Sequence, residues 1–144
     1  MTIQPGVPDH FGFFHGRYRA LLVDDDCSLT EIYQAVLDEV PLFSCLRVHR
    51  LEKAPDHLDC GEPFHVCVLD LGMTDDPERE FVLIEQYGTR VPMVVCTGRE
   101  AKRGALAIKK GAGDVVQKVG HKDWLLELRE TVCFHTIQGI VAPF

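Results

Sequence analysis

Four short stretches of this 144-residue chain hold side chains whose chemistries complement one another. Asp24-Asp25-Asp26 follows the apolar run Ala20–Val23, and Asp70 closes the run Val66-Cys67-Val68-Leu69. Thr97-Gly98 follows Val94-Val95-Cys96, and Lys118 follows Val115-Val116-Gln117. Each has an ordinary structural use alone, since acids open helices, Thr and Gly make turns, and a strand-end Lys is usually solvated. Brought together they would do more. Neighbouring carboxylates repel unless a positive charge neutralises them. Mg²⁺ suits that task, because it takes one or two carboxylates, keeps several waters and bridges to phosphate oxygens. Lys118, the Thr97 hydroxyl and the Gly98 N–H are donors over which phosphoryl charge could be spread. Asp70 would then be a carboxylate nucleophile that forms an acyl phosphate.

The elements that must position these residues follow from the apolar pattern. Strands are expected at 19–24 (RALLVD), 42–48 (LFSCLRV), 64–70 (FHVCVLD), 91–97 (VPMVVCT) and 113–118 (GDVVQK). The first helix is expected over 28–40, with Ser28 and Glu31 as a capping box and Leu29, Ile32, Val36, Leu37 and Val40 inward, closed by Pro41. A short helix is expected near 51–58. A third is capped by Asp76 with Pro77 at its first position, carries Phe81, Ile84 and Tyr87, and stops at Gly88. A fourth over 99–110 turns Ala101, Ala105 and Ile108 inward and stops at Gly111. A closing helix over 122–137 carries Trp124, Leu125, Leu128 and Val132. Strands that are apolar throughout, alternating with helices, predict a doubly wound α/β domain around a five-stranded parallel sheet, (βα)5. In such a sheet ligands bind beyond the carboxyl ends of the strands, where strand order reverses, and all four stretches fall there.

Residues 1–17, with Phe11, Phe13 and Phe14, read as a flexible extension, 18–138 as the domain, and 139–144 as a C-terminal tail. A formal net charge of −7 argues against nucleic acid as a direct partner. No apolar run approaches the roughly 18 residues of a membrane helix and no signal peptide is visible, so a cytoplasmic protein is expected. Six cysteines form no C-x-x-C pair. Cys45, Cys67 and Cys96 lie within strand-like runs, as small buried hydrophobes. His65-x-Cys67 and Cys133-x-His135 lack a second pair at metal-binding spacing.

With "LLVDDD", "VCVLDLGM", "VVCTG" and "GAGDVVQK" in this order, the chain resembles the receiver domains of two-component response regulators, the flavodoxin-like, CheY-like fold, over about residues 19–137. The resemblance implies that Asp70 accepts a phosphoryl group from a sensor histidine kinase or histidine phosphotransfer protein and later loses it to water. It implies that Asp25 and Asp70 bind Mg²⁺ directly, Asp24 through water, and Gly72 through its backbone carbonyl. It makes Thr97 the hydroxyl residue that moves toward the phosphoryl group and Lys118 its partner. By the same resemblance the chain is a signalling domain, not an enzyme acting on a separate substrate.

The sequence departs from the family on the output side. Val119 stands where the family has Pro, and a cis bond before Val would cost roughly 2.5–4 kcal/mol, so a trans bond and a rearranged loop are expected. Val115 replaces the switching aromatic, Thr74 the usual Pro, and the segment 97–111 is about a residue short, so its helix is expected to start differently. Two other readings stand beside the receiver. One is an adaptor that works without phosphorylation. The other is a phosphatase of the haloacid-dehalogenase type, whose nucleophile loop "DLGMT" resembles, although Gly72 cannot serve as its general acid. The tail QGIVAPF carries no effector pattern that would name an output, so either a stand-alone receiver or a piece of a longer protein is expected, and Leu125, Ile137, Ile140 and Val141 are the residues that would support a homodimer.

Overall fold

The computed structural model describes residues 18–39, 43–60, 63–73, 76–98, 101–118 and 123–141. The elements are β1 (Tyr18–Val23), α1 (Cys27–Asp38), β2 (Phe43–Val48), a 3₁₀ turn (Leu51–Lys53), α2 (Ala54–Leu58), β3 (Val66–Asp70), α3 (Pro77–Tyr87), β4 (Met93–Thr97), α4 (Ala101–Lys110), β5 (Asp114–Gln117) and α5 (Trp124–Val141). The strands form one parallel sheet in the order β2-β1-β3-β4-β5, the expected (βα)5 arrangement.

Strand periodicity divides the core in two, because successive side chains leave the sheet on opposite faces. Leu21, Val23, Cys67, Leu69, Met93 and Val95 face α2, α3 and α4, meeting Phe81, Ile84 and Ala107. Ala20, Leu22, Val66, Val68, Val94 and Cys96 face α1 and α5, meeting Tyr33, Leu37, Leu128 and Val132. Both faces of the central strands are covered, and this is why those strands are apolar at every position. Burial raises the Cys67 and Cys96 thiols to about 12, so both stay neutral. Cys45 is half-buried.

Two helices rotate away from their expected faces. α1 is capped two residues early: the Asp26 carboxylate accepts from the backbone N–H groups of Ser28 and Leu29, in place of a Ser28–Glu31 box. Its buried positions are Thr30, Tyr33 and Leu37, whereas Ile32 is 40% exposed and the Val40 and Pro41 expectations lie outside the described residues. In α4 the inward residues are Gly104 and Ala107, while Ala105 is exposed and Ile108 is 45% exposed. The cause is a close approach to β5. A Cβ on Gly104 would lie 2.9 Å from Val115 Cγ1, so the position of α4 that meets β5 is left to glycine and the larger Ile108 turns out. The Ala101 side chain lies outside the described residues.

The caps and stops of α3 and α4 are as expected. Asp76 caps α3 and its side chain accepts from the Glu78 N–H, with Phe81, Ile84 and Tyr87 buried. Gly111 ends α4 with φ +122°, a left-handed conformation that suits glycine. α5 buries Leu128 and Val132 with Trp124 and Leu125 packed beside them, and its helix runs past residue 138 to Val141. Among the dimer candidates Leu125 is therefore committed to the core and Ile137 is 56% exposed, while the Ile140 and Val141 side chains lie outside the described residues. So do the 1–17 extension, Thr74 and Val119, and with Val119 the peptide bond that Lys118 makes to it.

Candidate functional site

Strand order reverses between β1 and β3, which lie side by side although β2 separates them in the chain. Their register pairs Val23 with Leu69, so the next residues, Asp24 and Asp70, emerge together at the carboxyl edge. Parallel strands in the middle of a sheet thus place two acids from distant parts of the chain in one crevice. Asp25 joins them: carboxylate oxygens of Asp24, Asp25 and Asp70 all lie within 4.8 Å of one another. Among the described residues this is the one group of His, Cys, Asp and Glu so arranged, and neither His65–Cys67 nor Cys133–His135 forms part of such a set.

The three acids are held differently. Asp24 is buried, and its Oδ1 accepts from the Asp26 N–H at 3.0 Å while its Oδ2 accepts from the Tyr33 hydroxyl at 2.9 Å. Burial pushes its carboxyl up to about 6, and the Asp70 charge adds to this, against the two hydrogen bonds and Lys118. Asp25 is exposed, its side chain open to solvent. Asp70 is 7% exposed at the end of β3. Lys118 Nζ lies 2.5 Å from its Oδ1, and the Gly72 N–H donates to its Oδ2 at 3.2 Å.

Lys118 is carried over the cluster by the end of β5, where its N–H donates to the Thr97 carbonyl at 2.8 Å. Burial alone would lower its ammonium, but the bond to Asp70 and the charges of Asp70 and Asp24 outweigh that and raise it. It therefore stays cationic. Thr97 ends β4 next to the Asp70 strand and is buried. Gly98, just beyond it, is partly exposed, with nothing within 4 Å of where a Cβ would sit. Gly72 is exposed, and a Cβ there would be 3.5 Å from Asp70 Oδ2. Its bare backbone leaves Asp70 approachable.

Three residues around the site were not singled out from the sequence. Tyr33 is one; its spacing with Leu29 and Leu37 on α1 was a readable signal. Glu80 is buried on α3 and accepts from the Met73 N–H at 2.8 Å, which ties down the loop after Asp70. Arg103 on α4 donates to the Leu71 carbonyl at 3.1 Å. No local pattern marks either of the last two, because both act across the fold on loop backbone.

Oxygen donors alone, clustered with net negative charge, match a hard divalent cation such as Mg²⁺ better than a thiolate- or imidazole-seeking metal. In Val115 the site lacks an aromatic on β5, and the short side chain packs beside Gly104.

No family model matches the sequence, and no curated protein matches it closely enough to count as a relative. Solved structures do match in fold. The signal receiver domain of a protein described as a Luxo repressor from Vibrio parahaemolyticus superposes with a TM-score of 0.74 at 23% identity, covering 89% of this chain and 96% of that one. A response regulator receiver domain protein from Clostridium thermocellum gives 0.73 at 14% identity, with 87% and 98% covered. A Francisella response regulator receiver domain gives 0.70 at 15%, with 84% and 98% covered. Identities of this size speak for architecture alone: the chain has the fold that these receiver domains share.

Proposed function

We propose that this chain is a phosphoacceptor signalling domain of the cytoplasm, with Asp70 as the residue modified. The observation that carries the reading is the pairing of Asp70 with Lys118 at 2.5 Å inside a cluster of three carboxylates. An Asp70 carboxylate oxygen attacks the phosphorus of a phosphohistidine on a histidine kinase or phosphotransfer protein. A P–O bond forms as the P–N bond breaks, and the imidazole leaves and takes up a proton. Hydrolysis later returns the carboxylate and inorganic phosphate.

Asp24, Asp25, Asp70 and the Gly72 carbonyl would hold Mg²⁺, which would offset charge on the phosphoryl oxygens when bound. The rest of the work belongs to the chain. Lys118 would serve as a fixed cation for the phosphoryl group, and the Thr97 hydroxyl and the Gly98 N–H would be further donors to its oxygens. A downstream protein would then read the modified surface, which Val115 and Val119 make atypical.

Mg²⁺-dependent labelling with acetyl phosphate, followed by mass mapping, tests this. Label on Asp70, absent from Asp70→Asn, is the expected result. Label elsewhere, or none with a kinase panel either, would refute it. A chain that also ignores beryllofluoride would favour the adaptor reading, and multiple turnover of phosphate monoesters the phosphatase.

A further inference from the structure

We infer that Tyr33 is a positioning residue for the acidic cluster, its phenol holding the Asp24 carboxylate in the orientation a divalent cation requires. The inference rests on the metal-binding part of the function proposed above. Asp24 receives one donor on each oxygen, the Asp26 N–H on Oδ1 at 3.0 Å and the Tyr33 hydroxyl on Oδ2 at 2.9 Å. A carboxylate held at one oxygen can still turn about its terminal torsion, which is broad. Held at both, it cannot turn without losing a bond. Each oxygen keeps a second lone-pair direction for a cation or its water.

The phenol is itself fixed. Tyr33 is fully buried on α1, and its ring meets the Trp124 ring on α5 edge to face, with centroids 6.2 Å apart and planes at 83°. Trp124 is the chain's one tryptophan. Two helices therefore fix one hydroxyl against one carboxylate. A partner that orients a metal-binding side chain in this way normally sets affinity as well as geometry.

The test compares wild type, Tyr33→Phe and Trp124→Phe, each with its fold checked by circular dichroism. Mn²⁺ serves as probe, its free concentration read by electron paramagnetic resonance and its site defined by Mg²⁺ competition. Tyr33→Phe keeps the ring and deletes only the hydroxyl. It is expected to bind Mn²⁺ about 10-fold more weakly. Trp124→Phe, which alters the packing and leaves the hydroxyl, is expected to bind like wild type. Equal affinity in wild type and Tyr33→Phe overturns the inference and leaves the proposed function standing. Equal losses in both variants also overturn it, since general loosening of the α1–α5 packing would then explain the effect. A Tyr33→Phe chain that does not fold would assign the bond to stability and overturn the inference too. A wild-type chain that binds no Mn²⁺ removes the metal site itself, and the function proposed for it.

Discussion

Replacing Asp24 with Asn should make the protein more stable, and the gain should depend on pH. The buried carboxyl titrates near 6 in the folded chain against an ordinary value of 3.8. A folded value above the unfolded one means that the native state holds the proton more tightly. Ionisation of Asp24 thus opposes folding progressively as pH rises from about 4 through 6, and in full above that. The shift is equivalent to about 3 kcal/mol at pH 8. Asn carries no charge but has one acceptor oxygen where Asp has two, so one of the bonds from the Asp26 N–H and the Tyr33 hydroxyl must be lost or reversed, and about 1 kcal/mol should be subtracted for that. The net expectation is about 2 kcal/mol at pH 8, or roughly 6 °C in melting temperature for a domain of this size. At pH 5 about half of the gross effect is already absent from wild type, so the gain shrinks by about 1.4 kcal/mol. Urea unfolding of both chains at pH 5 and pH 8, in EDTA, measures this directly. Adding Mg²⁺ should stabilise wild type and close much of the gap. An Asn variant less stable than wild type, or one whose advantage is the same at both pH values, would refute the electrostatic account of the cluster.

Lys118→Met should slow acetyl phosphate labelling of Asp70 by about 100-fold, as expected for loss of a donor aimed at developing charge; labelling at the wild-type rate would remove Lys118 from the chemistry. Gly88→Ala should cost about 1–3 kcal/mol in urea unfolding, because a Cβ there would lie 2.7 Å from both the Gly111 and Ile84 carbonyl oxygens, and backbone cannot step aside. Gly104→Ala presents opposing terms: about 1 kcal/mol of helix propensity in its favour against a Cβ placed 2.9 Å from Val115 Cγ1. The clash should win in wild type and be relieved beside Val115→Ala, so a double-mutant cycle should show a favourable coupling between the two changes.

The strands and their order of occurrence were readable because each is apolar throughout and ends on a turn or a polar residue. The meeting of Asp24, Asp25 and Asp70 was readable for the same reason, since a parallel sheet gathers its strand ends on one edge. What escaped were rotations and long-range contacts. The α1 helix starts early because Asp26 has the extended backbone and the carboxylate that a cap needs, and its buried face includes Tyr33, which bonds to Asp24 and packs on Trp124. The α4 face turned because the closeness of β5 selects Gly104 and Ala107 over the larger Ile108. Helical periodicity counts apolar residues and does not measure the gap they must fill. Tyr33 is hidden for the same reason, since its polar tip makes it look less apolar than Ile32, although it is the one buried. Arg103 and Glu80 meet the loop after Asp70 through tertiary contacts that no local pattern announces.

Contacts from both helical layers reach the cluster and its neighbouring backbone. Asp24 is bonded through Tyr33 to the layer of α1 and α5, whereas the backbone beside Asp70 is bonded through Arg103 to α4 in the opposite layer. If the proposed phosphorylation changes the charge between these two acids, it would act on contacts to both sides of the sheet, through hydrogen bonds that do not overlap. The two routes are separately mutable. On the proposed function, one surface could then lose its response while the other kept it, with the three acids themselves unchanged.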